Sequence, residues 1–392
     1  MRDLVTRRVP VGLAALLCSA VALTACGNSD SASNSSSNSS SAGGSDTTAA
    51  KPATKSLVPA PPTTPADQFP VSGSLGGPPP KKKIAWLACE LPTCQSMLSD
   101  GYKNAAAALG WDFQKITYKV ANPAVAVQQA LDKNVDFIAI TGIPPVAFKA
   151  QAAEAAKRGI PIASCFDTTK PDPKVNGLVM QCADTYGYGL QAKQMADWII
   201  NDSAGKANTL MVSIDDYPIL RAEGDAIKAE FAKACSGCQF NKLPVTVDDV
   251  GAGKVTAKII AYLQSHPDVN YLELAFSDLG LGVPQALKAA GLADKIKITG
   301  VQSDNAVLKQ IADGKIAAWT AQAQEFAGWL SLDAFARLAK DMPLTSYEKS
   351  GQLPSWVVAS KEEAQKVLDG KGAWPGPAGM EDKFKQLWGV QG

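Results

Sequence analysis

From residue 83 onward the chain alternates short apolar runs with longer segments whose apolar residues recur at helical spacing. The pattern predicts a strand over 84–88, a helix over 95–109 stopped by Gly110, and a strand over 112–117. A helix over 124–133 and a strand over 137–140 follow. Gly142-Ile143-Pro144-Pro145 breaks the chain, an alanine-rich helix spans 146–158 up to Gly159, and a strand covers 160–164. The same alternation then repeats. Helices are predicted over 189–201, 220–234, 254–265 and 284–290, with strands over 209–213, 240–245, 271–275 and 296–301. Apolar strands alternating with helices of this length are the signature of a parallel sheet wound with helices on both faces. Two such arrays make two α/β lobes of one architecture. Ligands of open α/β sheets sit beyond the carboxyl ends of the strands, so two facing lobes would enclose one cleft.

The first 82 residues follow a different pattern. Arg2, Arg7 and Arg8 precede an apolar run over 9–25 that ends in Leu23-Thr24-Ala25-Cys26. A positive start, an apolar stretch and small residues before a cleavage point form a secretory signal. Its ending resembles a bacterial lipoprotein box, in which the cysteine becomes a lipid-bearing N-terminus. The run is short for a span of about 20 residues, and Pro10 and Gly12 interrupt it. Residues 26–82 are rich in Ser, Asn, Gly and Thr and then in Pro. Such composition buries no core and reads as a flexible tether with a mean reach of about 40 Å. Removing 82 of the 392 residues leaves a body of roughly 310, enough for two lobes. A net charge of +1, with no basic cluster beyond Lys81-Lys82-Lys83, argues against nucleic acid.

Of the eight cysteines, Cys18 leaves with the signal and Cys26 is the lipid site. Cys89, Cys94, Cys165, Cys182, Cys235 and Cys238 remain. An even number in an exported protein suggests disulfides, although six cysteines allow 15 connectivities. Local spacing favours Cys89 with Cys94, Cys165 with Cys182, and Cys235 with Cys238. Cys235-Ser236-Gly237-Cys238 ends a helical stretch instead of starting one, so no helix N-terminus lowers a thiol pKa there. A structural staple is the better reading than a redox pair. A thiolate metal cluster from the first four is conceivable but disfavoured in an exported chain.

Six short motifs then occur in an informative order. They are Asp100-Gly101-Tyr102-Lys103-Asn104-Ala105, Arg158-Gly159-Ile160-Pro161-Ile162 and Asp184-Thr185-Tyr186-Gly187-Tyr188-Gly189. Arg221-Ala222-Glu223-Gly224 and Ser265-His266-Pro267-Asp268-Val269 follow. The last is Asp313-Gly314 with Ala318 and Gln322. In that order they resemble the type I periplasmic binding proteins of the ribose-binding, sugar-importer group, from about residue 83 to 359. The resemblance implies two lobes joined by three crossovers, the third near Leu353-Pro354-Ser355-Trp356. Lobe I would comprise 83–184 and 323–355, and lobe II 185–322 and 356–392. It also implies hinge closure on one small ligand.

Carried over by position, the candidate ligand contacts are Glu90, Phe166, Asp167, Arg221, Ser277, Asp278, Gln302 and Gln322. Arg221 is the strongest, because its planar donor fork suits paired hydroxyls or a carboxylate. Asp167 and Asp278 have alternative roles in a turn and as a helix cap. The departures from the family are also informative. The first loop reads Cys89-Glu90-Leu91-Pro92-Thr93-Cys94, without the aromatics that sandwich a sugar. Stacking would need another ring, Phe166, Tyr217 or Trp319, and Trp319, like Trp86, reads better as core. A plain monosaccharide is thereby placed in doubt.

An enzyme is disfavoured. The single histidine, His266, lies in a turn, and neither a Gly-x-Ser-x-Gly elbow nor a phosphate-binding loop is present. The expectation is therefore a monomeric extracytoplasmic solute-binding lipoprotein, without cofactor or metal, that binds a sugar or other small polar organic molecule between two lobes that close. Its partners would be a small-molecule ligand, an ABC permease and the membrane that holds its lipid. The alternatives are a ligand sensor for a receptor kinase, or an importer component for a non-sugar carboxylate or aromatic ligand.

Overall fold

A computed structural model describes residues 56–96, 98–369 and 376–390. The signal segment, Cys26 and the first part of the expected tether lie outside the described residues. Two parallel sheets dominate. In lobe I, β1 (Lys83–Cys89), β2 (Asp112–Tyr118), β3 (Phe137–Thr141), β4 (Ile162–Cys165) and β5 (Leu178–Cys182) run in the order β2-β1-β3-β4-β5. In lobe II, β6 (Asn208–Ile214), β7 (Gln239–Val245), β8 (Tyr271–Leu274), β9 (Lys297–Gly300) and β10 (Ala318–Gln322) form the order β7-β6-β8-β9-β10. That arrangement repeats lobe I strand for strand. A last strand, β11 (Ser355–Val358), pairs antiparallel with β10 at the outer edge.

Burial explains the strand order. Every residue of β3, and all of β1 after Lys83, is buried, as expected for central strands covered on both faces. β7 is mostly half-exposed and contains Pro244, which an edge position tolerates.

The helices of lobe I are α1 (Pro92–Ser96), α2 (Ser99–Leu109), α3 (Ala124–Asp132) and α4 (Lys149–Arg158). Lobe II carries α5 (Thr185–Asp202), α6 (Pro218–Ala234), α7 (Val247–Gly251), α8 (Val255–Ser265), α9 (Val283–Ala289) and α10 (Asn305–Ala312). The chain then returns to lobe I as α11 (Gln324–Leu338) and α12 (Ser346–Lys349). α2 and α11 cross with backbones in contact. A Cβ on Gly101 would lie 2.3 Å from the Glu325 carbonyl oxygen, and one on Gly328 would lie 2.5 Å from the Tyr102 nitrogen. Only glycine fits either position.

Several elements differ from the sequence pattern. The helix expected over 95–109 is two helices, because the Cys89–Cys94 disulfide folds α1 back beside β1. The helix expected from 146 begins as a 3₁₀ turn, Pro145–Phe148. β5 and α7 have no counterpart in the prediction. After β11, α13 (Lys361–Asp369) packs on α10, but α14 (Met380–Trp388) packs on α11 and α2. Residues from 376 onward therefore sit with lobe I, a correction to the assignment of 356–392 to lobe II. The cause is aromatic: Trp388 stacks on Trp329 at 5.3 Å, and its indole N–H donates to Asp333 at 2.6 Å. Asp333 and Glu348 flank Arg337 in this buried cluster.

The tether boundary also changes, because residues 56–82 lie against the body. Asn201 of α5 accepts from the Leu57 N–H, and the Val357 N–H of β11 donates to the Pro62 carbonyl. Further along, Phe69 meets Phe326 and Phe384 edge-on, Arg337 donates to the Ser72 and Gly73 carbonyls, and Val71 and Leu75 are buried. A few apolar anchors and free backbone carbonyls hold a segment whose average composition reads as flexible.

Candidate functional site

Between the lobes lies a partly open pocket of about 50 Å³. Its wall comes from equivalent places in each sheet, beyond strand ends at the points where strand order reverses. Lobe I contributes Leu91, Thr93 and Cys94 after β1, Thr141 and Gly142 at the end of β3, and Phe166 after β4. Lobe II contributes Tyr188 of α5, Tyr217 with Ile219 and Leu220 after β6, Phe276 after β8, and Gln302 after β9. Gly142 has the left-handed backbone, φ 84°, that favours glycine, and it lies against the Tyr217 ring.

Phe166 and Gln302 lie just past the ends of β4 and β9, strands that correspond in the two sheets. Both have left-handed backbones, φ 60° and 58°, and both are buried. Such a conformation disfavours a non-glycine residue by about 1–2 kcal/mol and persists where surrounding structure holds it, often at binding sites. Phe166 stands edge-on to Tyr188 with centroids 6.1 Å apart.

The lobes are joined across the cleft by Thr93. Its backbone N–H donates to Asp278 at 3.1 Å, its hydroxyl donates to the same carboxylate at 2.6 Å, and it lies 3.0 Å from the Ser277 hydroxyl. Burial raises the Asp278 pKa, while both bonds from Thr93 favour the ionised form and limit the rise. Asp167 is 2% exposed, and its pKa is also raised by burial. One of its oxygens accepts from Thr169, and the other has no partner.

The expected contacts therefore separate. Phe166 and Gln302 line the cavity. Ser277 and Asp278 are engaged with Thr93. Asp167 and Gln322 are buried but outside the wall, and the Gln322 amide has no partner at either atom. Glu90 is exposed, although its charge raises the Tyr118 and Tyr217 phenols. Arg221, the strongest candidate from sequence, is exposed, outside the wall, and donates to the Asp215 carbonyl of its own loop. A helix start offers a cation nothing, so the guanidinium turns to that carbonyl. Leu91, Tyr188, Ile219, Leu220 and Phe276 were missed. Leu91 and Phe276 lie just past strand ends, and that position was the available signal for them; Tyr188, Ile219 and Leu220 lie on α5 and α6. Trp319 and Trp86 are core residues, donating to the Val301 carbonyl and the Thr141 hydroxyl. The remaining cysteines pair as Cys89–Cys94, Cys165–Cys182 and Cys235–Cys238. Among the described residues, no cluster of His, Cys, Asp and Glu is arranged to hold a metal.

The sequence model of the periplasmic binding protein domain matches residues 94–342, more than half of the chain. The chain belongs to the periplasmic binding protein family. Members of this family work outside the cytoplasm, and no helix among the described residues of this binding protein is long and apolar enough to cross a membrane. Its fold is similar to a carbohydrate transporter from Acidothermus cellulolyticus 11B in complex with myo-inositol. The two are 20% identical, with TM-score 0.60 over 74% of this chain and 98% of that one. An ABC transporter periplasmic solute-binding protein from Actinobacillus succinogenes 130z with bound D-allose is 19% identical. There the TM-score is 0.62 over 73% and 100% of the two chains. The 5-methylthioribose transporter solute-binding protein from Thermotoga lettingae TMO is also 19% identical, with TM-score 0.62 over 79% and 94%. No protein of curated function matches in sequence.

Proposed function

We propose that this binding protein is the solute-capturing lipoprotein of an ABC importer, held on the outer face of the cell membrane by lipid on Cys26. The observation that carries the reading is the cavity itself. Equivalent strand ends of two lobes close over it, and Thr93 on one lobe is hydrogen-bonded to Asp278 on the other. A wall split between hinged bodies couples ligand binding to closure, because a ligand touching both lobes binds the closed form better. Transporter components with bound myo-inositol, D-allose and 5-methylthioribose share the fold, which supports a small organic solute.

Cross-linking on intact cells followed by membrane solubilisation tests the assignment. Recovery of a multi-span permease with its ATPase is expected, and consistent recovery of a receptor kinase instead would overturn it. Cys26→Ala should release the protein from the membrane; retention of that variant would count against the lipid anchor.

A further inference from the structure

We infer that the cleft selects a cationic solute, an amino sugar or amino polyol whose protonated amine is held among carboxylates of both lobes, over its uncharged and acidic counterparts. This rests on the solute-binding reading and specifies its ligand.

The charge around the cleft is one-sided. Within two positions of a wall residue stand six carboxylates, Glu90, Asp167, Asp215, Asp216, Asp278 and Asp304, and one cation, Arg221. The acids follow β1, β4, β6, β8 and β9, so the strand ends that build the wall also carry the charge. Asp215 is ion-paired with Lys242 at 2.6 Å, and Arg221 is exposed and donates to the Asp215 carbonyl. None of the other five acids is in an ion pair among the described residues. Their fields reach the pocket and one another. Burial raises the Tyr217 phenol, and the charges of Glu90, Asp216 and Asp278 raise it further. Asp304 adds in the same way to the effect of burial on Asp278.

Parting the lobes to admit a solute does not relieve this imbalance. Glu90 and Asp167 belong to one lobe, and Asp216, Asp278 and Asp304 to the other. Breaking the Thr93 contact returns Asp278 to the cleft with no cation beside it. Arg221 stays with its own loop in either state. A cleft lined by one sign of charge concentrates the opposite sign, and closing it brings like charges together. A neutral sugar gives these carboxylates hydroxyls but leaves their charge uncompensated, and an acidic sugar adds to it. A protonated amine compensates it, and lying between acids of both lobes it favours the closed form.

Other groups of the cleft fit the same solute. One oxygen of Asp167 is buried without a partner, and a cation beside it favours the ionised form that burial disfavours. The aromatic residues Phe166, Tyr188, Tyr217 and Phe276 attract a cation through their ring faces. The Tyr217 hydroxyl and Nε2 of Gln302, both buried and without a partner, are left for the solute's hydroxyls. Among the described residues the acids form no cluster that could hold a metal ion, so the cation they suit is one carried on an organic molecule.

Matched pairs test this. Calorimetric titration and thermal shift of the mature full chain, at about pH 6 where the amines are protonated, would compare D-glucosamine with D-glucose, D-galactosamine with D-galactose, and D-glucamine with sorbitol. N-acetyl-D-glucosamine, D-glucuronate and calcium chloride alone complete the set. The amines should bind saturably and raise the melting temperature. Their uncharged partners should bind at least about tenfold more weakly, and glucuronate more weakly still. Salt at about 1 M, where the screening length is about 3 Å, should remove most of the advantage. Replacing the two exposed acids together, Glu90→Gln with Asp216→Asn, should narrow the glucosamine-to-glucose affinity ratio several-fold; an unchanged ratio would overturn the inference. A neutral sugar binding as tightly as its amine would also overturn it while leaving the solute-binding reading intact. So would failure of every amine to bind, or a melting temperature raised by calcium and not by the amines. The importer assignment is read separately, by what cross-links in the membrane.

Discussion

Behind the Tyr188 side of the cleft wall, Glu273 of β8 and Glu223 of α6 are fully buried. Thr299 donates to Glu273, and Tyr188 stands beside Glu223. Burial lifts the Glu273 pKa to about 8. It lifts Glu223 well above the ordinary carboxyl range, with the charge of Glu273 adding to the effect. An unfolded glutamate titrates near about 4.3. Between that value and the folded one, the native protein holds protons that the unfolded chain has lost. Stability therefore falls as pH rises through this window and levels off above it. The raised carboxyls of Asp167 and Asp278 act in the same direction. Glu273→Gln removes one of these titrations, so its melting temperature should decline less than that of the parent between about pH 5 and pH 8. Equal declines measured calorimetrically would show that Glu273 ionises normally in the fold. Nothing in the sequence marked these carboxyls as buried. Glu273 sits in a four-residue strand, where alternation is too short to assign a face.

Helix α1 shows how a local staple becomes an interlobe contact. Cys89 and Cys94, with Cα atoms 5.3 Å apart, close a loop that carries Leu91 into the wall and Thr93 across to Asp278. Thr93→Val keeps the loop and the volume but removes the hydroxyl donor to a nearly buried carboxylate. A hydrogen bond to a charged group contributes about 1.5–3 kcal/mol. The balance between closed and open lobes should accordingly move about 10- to 100-fold toward open, seen as a longer mean distance between spin labels on the two lobes. An unchanged distance distribution would mean that the hinge, and not this contact, sets closure. The alternating lobes were legible because central strands are apolar throughout and the helices between them are periodic. The site was legible only in part. Phe166 and Gln302 follow strand ends, but motif position carried Arg221 along while its own loop offered it a carbonyl. β5 escaped because Leu178–Cys182 is a five-residue run containing Gln181, with neither length nor alternation to mark it.

Across the whole folded body, residues 56–80 act as a strap over both lobes. Asn201 of lobe II brackets Leu57 and Val58, accepting at 2.8 and 3.2 Å and donating to the Val58 carbonyl at 3.1 Å. The Pro62 carbonyl extends the hydrogen bonding of β11. On lobe I, Phe69 stacks edge-on against Phe384 at 5.0 Å, the Leu75 N–H donates to the Leu387 carbonyl at 2.7 Å, and the Trp111 indole donates to the Pro80 carbonyl at 3.1 Å. A segment fixed to two hinged bodies adds to the stability of each and also resists their separation. Deleting 56–80 exposes Phe384 and withdraws the carbonyls that Arg337 reaches, which leaves that buried guanidinium with its carboxylates alone. The deletion should lower the melting temperature by several degrees, since about 1 kcal/mol moves a domain of this size by a few degrees. It should also enlarge the scattering radius, and a synthetic 56–80 peptide added in trans should reverse part of both changes. If the truncated chain melts and scatters like the parent, the segment is only laid along the surface. Its proline-rich composition, read at first as tether, would then describe its mechanical role correctly despite the contacts it makes.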